Sequence, residues 1–336
     1  MDPRPADYDV SRLEPLRFER HFLTKVWGGR ALERRPGFAL PPGKIGETWE
    51  VVDRAGENSL VATGGLKGLS LRELMKRHGK DLLGNVPAGK GGCFPLLVKY
   101  IDAAENLSVQ VHPDDESAAR ISVTLDPGAE AKSEAWYIVA AQPGSVVYAG
   151  LRPEVTARDF ERVADGPGVL EALLAWEVKP GDCLMVPGGT VHAISAGVTI
   201  LEVQQNSDTT YRLWDWGRSG RETHVAQALQ CIRFGEPERG PIRPLWFPEG
   251  ELSVAHLARC KHFGMNALRL TKPVRRSTQS QFNLYAVLEG EGRLRWGEEE
   301  HALAPGDVWL VPASCGYHHF EPAGGELLLV HTLYRP

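Results

Sequence analysis

Four side chains with metal-binding atoms occur at spacings that could bring them to one site. Gln110 and His112 are two residues apart in a probable strand, so their side chains point to the same face. Glu134 lies in the next probable strand, and His192 follows a later turn and strand. If these strands enclose a small barrel, two neutral imidazoles, a carboxylate and an amide oxygen can converge, which suits a catalytic Zn²⁺. Two histidines and a carboxylate also suit Fe(II), so the residue types alone leave the metal open.

The elements that must position these side chains are mainly strands. The 36 glycines and 24 prolines divide the chain into short apolar runs, which is typical of strands joined by turns. We expect strands at 48–52, 96–101, 107–112, 134–140, 183–186, 199–204, 284–288, 308–311 and 326–333. Helical periodicity is confined to residues 69–82, which open with a capping box of Ser70 and Glu73, and to stretches within 156–176 and 224–234.

One segment of the chain is repeated. Residues 179–187 (KPGDCLMVP) and 304–312 (APGDVWLVP) share Pro, Gly, Asp, Val and Pro in register. An aromatic strand and a glycine turn precede each copy, with the strands at 136–139 and 284–287. A single PGD turn between strands is common, but two copies with matching flanks indicate a duplication.

The repeated unit resembles the cupin double-stranded β-helix, a relative of the jelly roll whose second motif has the form G-x5-P-x-G-x2-H. The motif positions of the first copy are all filled, by Gly181, Pro187, Gly189 and His192. The second copy keeps Gly306 and Pro312 but has Tyr317 where the histidine would fall. We expect the neighbouring His318 and His319 to have structural roles, because the preceding strand offers no second ligand.

The predicted fold is therefore mainly β, with two cupin-like jelly-roll barrels and a few helices. We place a catalytic N-terminal domain with short helical insertions at residues 1–240 and a degenerate C-terminal cupin domain at 241–336. The metal site should lie in the first domain, and the second should pack against it as a structural half.

Five separated motifs resemble the type I mannose-6-phosphate isomerases, in the order found in that family. They are FPLLVKYID (94–102), LSVQVHPD (107–114), KSE (132–134), PGGTVH (187–192) and QNSDTTYR (205–212). The WGG start at 27–29 and GETW at 46–49 look like the short bacterial form of the family. Two positions depart from the pattern: Ala131 replaces a histidine proposed for proton transfer, and Ser133 replaces a proline.

The resemblance implies a zinc enzyme that interconverts mannose 6-phosphate and fructose 6-phosphate through an enediol or enediolate. One Zn²⁺ per chain would be held by Gln110, His112, Glu134 and His192, with Arg212 as a catalytic residue.

Proton transfer and phosphate binding need further side chains. Asp208, Glu50 and, if a neighbouring Zn²⁺ lowers its pKa, Lys132 are candidates for the base, and the sequence does not choose among them. No phosphate-binding loop of the GxxxxGK type is present, so side chains must hold the phosphate. Ser108 and Lys99 are candidates, together with Lys132 and the always-charged Arg212.

Two other functions remain possible from the sequence. The first is a cupin oxygenase with Fe(II), for which Gln110 and the basic Lys132 and Arg212 have no explanation. The second is a non-catalytic sugar-phosphate-binding cupin, which would be favoured if Arg212 pointed away from the metal.

Composition excludes several partners. The chain has 336 residues and a formal net charge of −5, which argues against nucleic acid or an anionic membrane as the main partner. The N-terminus has no signal-peptide pattern, and no apolar run is long enough for a transmembrane helix. The five scattered cysteines indicate reduced thiols in a cytoplasmic protein. We expect a small sugar phosphate as the partner and no obligate protein partner.

Overall fold

The computed structural model describes residues 13–237 and 239–334. Within these ranges the chain is mainly β, as predicted, with 24 strands and four α-helices. The first twelve residues, on which the expectation of no signal peptide depends, lie outside the described part. None of the described helices is long and apolar enough to cross a membrane.

The strands of the N-terminal half are β1 (Leu16–Arg17), β2 (His21–Gly29), β3 (Ile45–Val51), β4 (Asp53–Arg54), β5 (Glu57–Asn58), β6 (Leu96–Ala103), β7 (Val109–Val111), β8 (Glu134–Ala141), β9 (Val146–Leu151), β10 (Leu173–Glu177), β11 (Cys183–Val186), β12 (His192–Ile194), β13 (Val198–Gln205) and β14 (Tyr211–Trp214). The later strands are β15 (Phe247–Glu249), β16 (Leu252–Arg259), β17 (Gly264–Leu270), β18 (Val274–Ser277), β19 (Asn283–Glu289), β20 (Gly292–Trp296), β21 (Glu299–Leu303), β22 (Val308–Val311), β23 (Tyr317–Pro322) and β24 (Leu327–Leu333). The α-helices are α1 (Leu71–Leu83), α2 (Asp115–Thr124), α3 (Ala157–Glu161) and α4 (Val225–Cys231).

Two sheets build the N-terminal half. One has six strands in the order β11-β8-β13-β6-β2-β3, and the other has five in the order β10-β9-β12-β7-β14. A buried apolar cluster joins them, with Ile101 and Ile138 from the first sheet and Val147 and Ile194 from the second. Because the two sheets share one interior, side chains from β7, β8 and β12 can meet there.

Two further sheets build the C-terminal half. One has seven strands in the order β1-β22-β19-β24-β17-β16-β15, and the other has four in the order β18-β23-β20-β21. They share a cluster that includes Leu268 and Tyr285 from the first and Leu294 and Phe320 from the second. Strand β1 pairs with β22 although it lies near the start of the chain. The boundary at residue 240 stays a prediction, and β1 crosses it.

The two halves pack sheet against sheet. The largest buried cluster contains Tyr100 and Val203 of the six-stranded sheet together with Leu284 and Val330 of the seven-stranded sheet. Side chains alternate along a strand, so the face of β6 that carries Tyr100 packs in this core and the face that carries Lys99 points into the N-terminal half.

The predicted repeat has the same turn in both copies. The carboxylate of Asp182 accepts a hydrogen bond from the N–H three residues earlier at 2.9 Å, and Asp307 does the same at 3.0 Å. The preceding glycines both have positive φ, 95° at Gly181 and 92° at Gly306. The structural equivalence supports the duplication inferred from the sequence.

The equivalence of the two repeats extends beyond the turn, and it corrects the predicted counterpart of His192. His192 Nδ1 donates to the Thr190 carbonyl at 2.9 Å, and His318 Nδ1 donates to the Gly316 carbonyl at 3.2 Å. Thus His318, and not Tyr317, takes the place of His192. The motif spacing predicted the wrong residue because the loop after Pro312 is one residue longer than the loop after Pro187. Tyr317 is exposed.

The helices agree with the prediction in part. α1 begins at its predicted capping box, and α4 lies within the third predicted stretch. The second stretch, 156–176, instead contains α3, a 3-10 turn at Pro167–Ala172 and β10, because Gly166 and the proline after it interrupt the helix. α2 was not predicted, although Asp114 and Ser117 form a capping box at its start.

Candidate metal centre and pocket

Three side chains on neighbouring strands bring their ligand atoms together. His112 follows β7, Glu134 begins β8 and His192 begins β12, and their ligand atoms lie within 4.8 Å of one another. His112 Nε2 is 3.4 Å from Glu134 Oε2, and His192 Nε2 is 3.5 Å from Glu134 Oε1. Within the part of the chain that the structure describes, no other such group of three His, Cys, Asp or Glu side chains occurs.

Backbone carbonyls fix the orientation of both imidazoles. His112 Nδ1 donates to the Thr209 carbonyl at 2.8 Å, and the equivalent bond of His192 is described above. A neutral imidazole has one N–H, so the lone pair of each ring lies on the Nε2 that faces the carboxylate. Burial and the nearby Lys132 lower the pKa of His112 to about 3, and burial lowers the pKa of His192. Both rings are therefore neutral near pH 7, the form that binds a metal ion.

A buried ammonium group balances the charge of Glu134. Lys132 Nζ lies 3.1 Å from Glu134 Oε2 and 3.1 Å from His112 Nε2. Burial acts to raise the pKa of Glu134, but the positive charge of Lys132 opposes it, and that pKa lies well below its usual range. Among the described residues, none donates a well-aligned hydrogen bond to Oε2. This oxygen is ionised and buried, and the cation beside it is the Lys132 ammonium, which a metal ion would have to displace.

Gln110 lies beside the three side chains, and Ser108 orients its amide. Gln110 Nε2 is 3.2 Å from His192 Nε2, and Gln110 Oε1 accepts a hydrogen bond from the Ser108 hydroxyl at 3.1 Å. Metal binding through the predicted oxygen would need a half-turn of the amide. The structure thus brings Gln110 and Ser108 to the same pocket as the imidazoles.

A second buried network of charges adjoins the metal centre, and the sequence did not reveal it. Lys99 Nζ lies 3.1 Å from Glu202 Oε1 and 3.5 Å from Glu47 Oε2. The Trp136 N–H donates to Glu202 at 2.9 Å and to Glu134 at 3.0 Å. Burial opposes ionisation of both Lys99 and Glu47. The carboxylates of Glu202 and Glu47 nevertheless raise the pKa of Lys99, and the charge of Lys99 lowers the pKa of Glu47 to about 2. The charge of Lys99 is therefore already neutralised.

The metal centre forms one wall of a pocket of about 280 Å³. Asp208, Arg212 and Arg221 line it, together with Lys132. Arg212 Nη1 donates to a backbone carbonyl at 2.7 Å, which holds the guanidinium at the pocket wall. Burial and Arg221 lower the pKa of Arg212. Arg221 is paired with Asp215 at 3.1 Å, whereas a backbone carbonyl holds Arg212, so the charge of Arg212 is the better suited to bind an anion.

Glu50, predicted as a candidate base, lies outside this pocket. Its carboxylate accepts hydrogen bonds from Arg20 at 2.7 Å and from the Thr48 hydroxyl at 2.7 Å. Glu50 lies three positions after Glu47, an odd spacing, so the two carboxylates point to opposite faces of β3. Glu47 is the one that lines the pocket.

Sequence reasoning missed several charged residues of the pocket: Lys25, Glu47, Glu202 and Arg221. Glu202 carried a usable signal, because a charge within the apolar run 198–203 must be paired when that run is buried. Arg221 carried none, since it lies in an irregular segment after β14.

Comparison with known proteins places the chain in a family. It matches the profile described as phosphomannose isomerase type I, catalytic domain, over residues 16–145, and the profile described as mannose-6-phosphate isomerase, cupin domain, over residues 253–332. The mannose-6-phosphate isomerase ManA of Bacillus subtilis is 36% identical over 314 residues, covering 92% of this chain and 96% of the relative. The mannose-6-phosphate isomerase of Streptococcus mutans is 33% identical over 330 residues, covering 94% and 97%.

Solved structures of mannose 6-phosphate isomerases are similar to this chain over nearly its whole length. The crystal structure of the mannose 6-phosphate isomerase from Bacillus subtilis is similar with a TM-score of 0.85 and 29% identity, covering 95% of this chain and 99% of that one. The apo form of the enzyme from Salmonella typhimurium shares the fold with a TM-score of 0.76 at 17% identity, covering 96% and 100%. The similarity in sequence and structure spans nearly the whole chain, which therefore belongs to the type I phosphomannose isomerase family.

Proposed function

We propose that this protein interconverts mannose 6-phosphate and fructose 6-phosphate with a metal ion as cofactor. The observation that carries the proposal is a single pocket in which the group His112, Glu134 and His192 adjoins Lys132 and a wall with Arg212. The relatives from Bacillus subtilis and Streptococcus mutans, both named mannose-6-phosphate isomerase, support the choice of substrate.

The cofactor in this proposal is one Zn²⁺ per chain, held by Gln110, His112, Glu134 and His192. Two neutral imidazoles and an ionised carboxylate oxygen that accepts no aligned hydrogen bond from the described residues fit such an ion. When bound, zinc would polarise the sugar carbonyl and stabilise negative charge on its oxygen.

The chain's own residues would move the proton between C1 and C2 of the open-chain sugar. Asp208 and Lys132 are the candidates for the base, because both line the pocket, whereas Glu50 does not. The ammonium of Lys132, which is paired with Glu134, could act as a base only after metal binding had displaced its proton. Such a base contributes about 10²–10⁴-fold to the rate. Arg212 would donate hydrogen bonds to the enediolate or to the phosphate, since its guanidinium stays charged.

The 6-phosphate would be held by Ser108 and the two guanidinium groups of Arg212 and Arg221. A fixed phosphate lets binding energy position the reacting carbons. Lys99, the other candidate from the sequence, would instead balance the charges of Glu202 and Glu47 beneath the sugar.

The finer architecture in this proposal is two cupin-like jelly-roll barrels, at residues 1–240 and 241–336, with the metal in the first. The repeated turn and the two pairs of sheets support it. A cytoplasmic location is supported by the five cysteines, none of which forms a disulfide. The partner would be a small sugar phosphate, with no obligate protein, nucleic acid or membrane partner.

The deciding experiment is a coupled assay of mannose 6-phosphate conversion on the purified, chelated and zinc-restored protein. We expect activity to vanish with the chelator and to return with zinc. His192→Ala should be inactive, while His318→Gln, at the equivalent place in the second repeat, should keep at least about half of the activity. Oxygen consumption with ferrous iron would instead indicate an oxygenase, and sugar-phosphate binding without turnover would indicate a binding protein.

A further inference from the structure

The loop between β11 and β12 is attached to all three segments that carry the candidate ligands. It leads directly into His192. The Gly189 N–H donates to the His112 carbonyl at 2.7 Å, which joins the loop to the residue that follows β7. The Gly188 N–H donates to the Ser133 hydroxyl oxygen at 3.1 Å, which joins the loop to the start of β8. Two neighbouring backbone N–H groups thus connect the segment of one ligand to the segments of the other two.

The loop is also packed closely against the chain that follows His112. Gly188 is buried, and a Cβ at this position would lie 2.6 Å from both the Asp114 Cα and the Pro113 carbonyl oxygen. The same carbonyl accepts a hydrogen bond from the Lys132 N–H at 2.9 Å. The position of the loop therefore decides where His192 stands relative to the other candidate ligands.

Ser133 is itself held firmly in place by Gln205. The Ser133 N–H donates to Gln205 Oε1 at 2.8 Å, and the Gln205 N–H donates to the Ser133 carbonyl at 3.1 Å. Ser133 is buried, so removal of its hydroxyl would leave the buried Gly188 N–H without this acceptor. Proline, which the family pattern has at this position, could make neither the bond to Gln205 Oε1 nor the bond from Gly188. The attachment is therefore a property of this chain's own sequence.

The second repeat does not have this hydroxyl. The residues that follow Ser133 and Phe282 pair with the corresponding valines of the two repeats, Val186 and Val311, so Phe282 takes the place of Ser133. Phenylalanine has no oxygen that could accept the bond, and Asn283 stands where the first repeat has its carboxylate ligand. In this duplicated fold, the hydroxyl thus occurs in the repeat that has the ligand set.

We propose that Ser133 is a positioning residue for the metal centre, whose hydroxyl holds the loop so that His192 and Glu134 face one point before the metal binds. This inference rests on the proposed function, because it takes the ion to be Zn²⁺. Groups that orient metal ligands through hydrogen bonds contribute about 10–100-fold to metal affinity. Ser133 does not line the pocket, so its effect is transmitted through the loop and not through contact with the substrate.

The test is the affinity of the metal-free protein for Zn²⁺, measured by competition with a chromophoric chelator. Ser133→Ala should raise the dissociation constant by about 10–100-fold. Ser133→Thr keeps the hydroxyl and should stay within about threefold of the unmodified protein. At saturating zinc, the KM of Ser133→Ala for mannose 6-phosphate should change less than about twofold, because the residue does not line the pocket.

Ser59→Ala is the matched control. The Ser59 hydroxyl also accepts a hydrogen bond from a buried backbone N–H, that of Val52 at 2.9 Å, and Ser59 does not line the metal pocket either. We expect Ser59→Ala to lower the melting temperature of the metal-free protein about as much as Ser133→Ala does, because each leaves one buried N–H without its acceptor. Its dissociation constant for Zn²⁺ should equal that of the unmodified protein.

Three results would overturn this proposal alone. They are zinc binding by Ser133→Ala within about threefold of the unmodified protein, an equal loss of affinity in Ser59→Ala, and an equal loss in Ser133→Thr. If the unmodified protein binds no zinc, the proposed function loses its cofactor and this proposal falls with it. The affinity measurement needs no turnover, so the two failures are told apart.

Discussion

Individual side chains in the metal pocket work as balanced charges. Lys132 offsets Glu134, and Lys99 offsets Glu202 and Glu47, so these buried cations and anions need one another to remain ionised. Arg212 is different, because a backbone carbonyl and not a carboxylate holds its guanidinium. Its charge is therefore available to a substrate anion.

Replacing Arg212 by alanine should impair turnover without loss of metal. We expect kcat/KM for mannose 6-phosphate to fall by about 10²–10³-fold, because a charged donor to the phosphate or enediolate is removed. Zinc content, measured by atomic emission, should stay at that of the unmodified protein. Arg158→Ala, at an exposed position of α3, is the control and should retain full activity. Loss of zinc together with activity would show that Arg212 supports the metal centre.

The sequence predicts candidate site residues best where they lie in short, distinctive motifs. Gln110, His112, Glu134 and His192 could be selected because each lies in a distinctive sequence context and three sit at strand positions with a defined face. The sequence could not exclude Glu50 in favour of Glu47, since that choice depends on which face of β3 meets the N-terminal interior. Arg221 could not be found, because the path of an irregular segment is set by tertiary contacts.

At the level of elements, the PGD turn shows how one local structure is used twice in different surroundings. Both turns need a glycine with positive φ and an aspartate that accepts a backbone hydrogen bond. A Cβ on Gly181 would have its nearest neighbour at 3.9 Å, whereas a Cβ on Gly306 would lie 2.5 Å from the Phe38 ring. The second turn is therefore tightly packed and the first is not.

Alanine substitutions at these two glycines should separate backbone strain from packing. Gly181→Ala should lower the free energy of unfolding by about 1–2 kcal/mol through the positive φ alone. Gly306→Ala should cost about 1–3 kcal/mol more, because the Phe38 ring must move. Urea unfolding of the two variants measures the difference. Equal losses would mean that the clash with Phe38 is relieved without cost.

The elements themselves were predictable to different degrees. Strands such as β11 and β22 were found with their correct limits, because apolar runs between PGD turns and prolines have clear ends. β10 was mistaken for part of a helix, since residues 173–177 have no alternation that distinguishes a strand. The place of His318 was missed because one inserted residue shifts every later position in a strand.

The whole molecule should respond to pH through a histidine far from the metal. Burial lowers the pKa of His318 to about 4, whereas an unfolded histidine titrates near 6.5. Between these values the unfolded chain binds a proton that the folded chain does not. Stability that is fully present above about pH 6.5 is therefore lost as the pH falls toward 4, by at most about 3 kcal/mol.

His318→Gln should remove this part of the pH dependence. Glutamine cannot titrate, and it can still accept a hydrogen bond from the Tyr285 hydroxyl, which lies 3.2 Å from the histidine. We expect the free energy of unfolding of the variant to change less between pH 6.5 and 4.5 than that of the unmodified protein. His319→Gln, exposed on the same strand, serves as the control. An unchanged slope in His318→Gln would contradict the prediction.

The pairing of β1 with β22 has a consequence for the way this protein is made. Leu16 leaves the ribosome long before its partner Leu310. The nascent chain therefore holds an unpaired strand until β22 has been made, and that strand is open to pairing with a second nascent chain meanwhile. A ribosome that stalls before residue 308 would release a chain in which β1 has no partner. Synthesis as far as β22 is thus a condition for pairing of this edge strand.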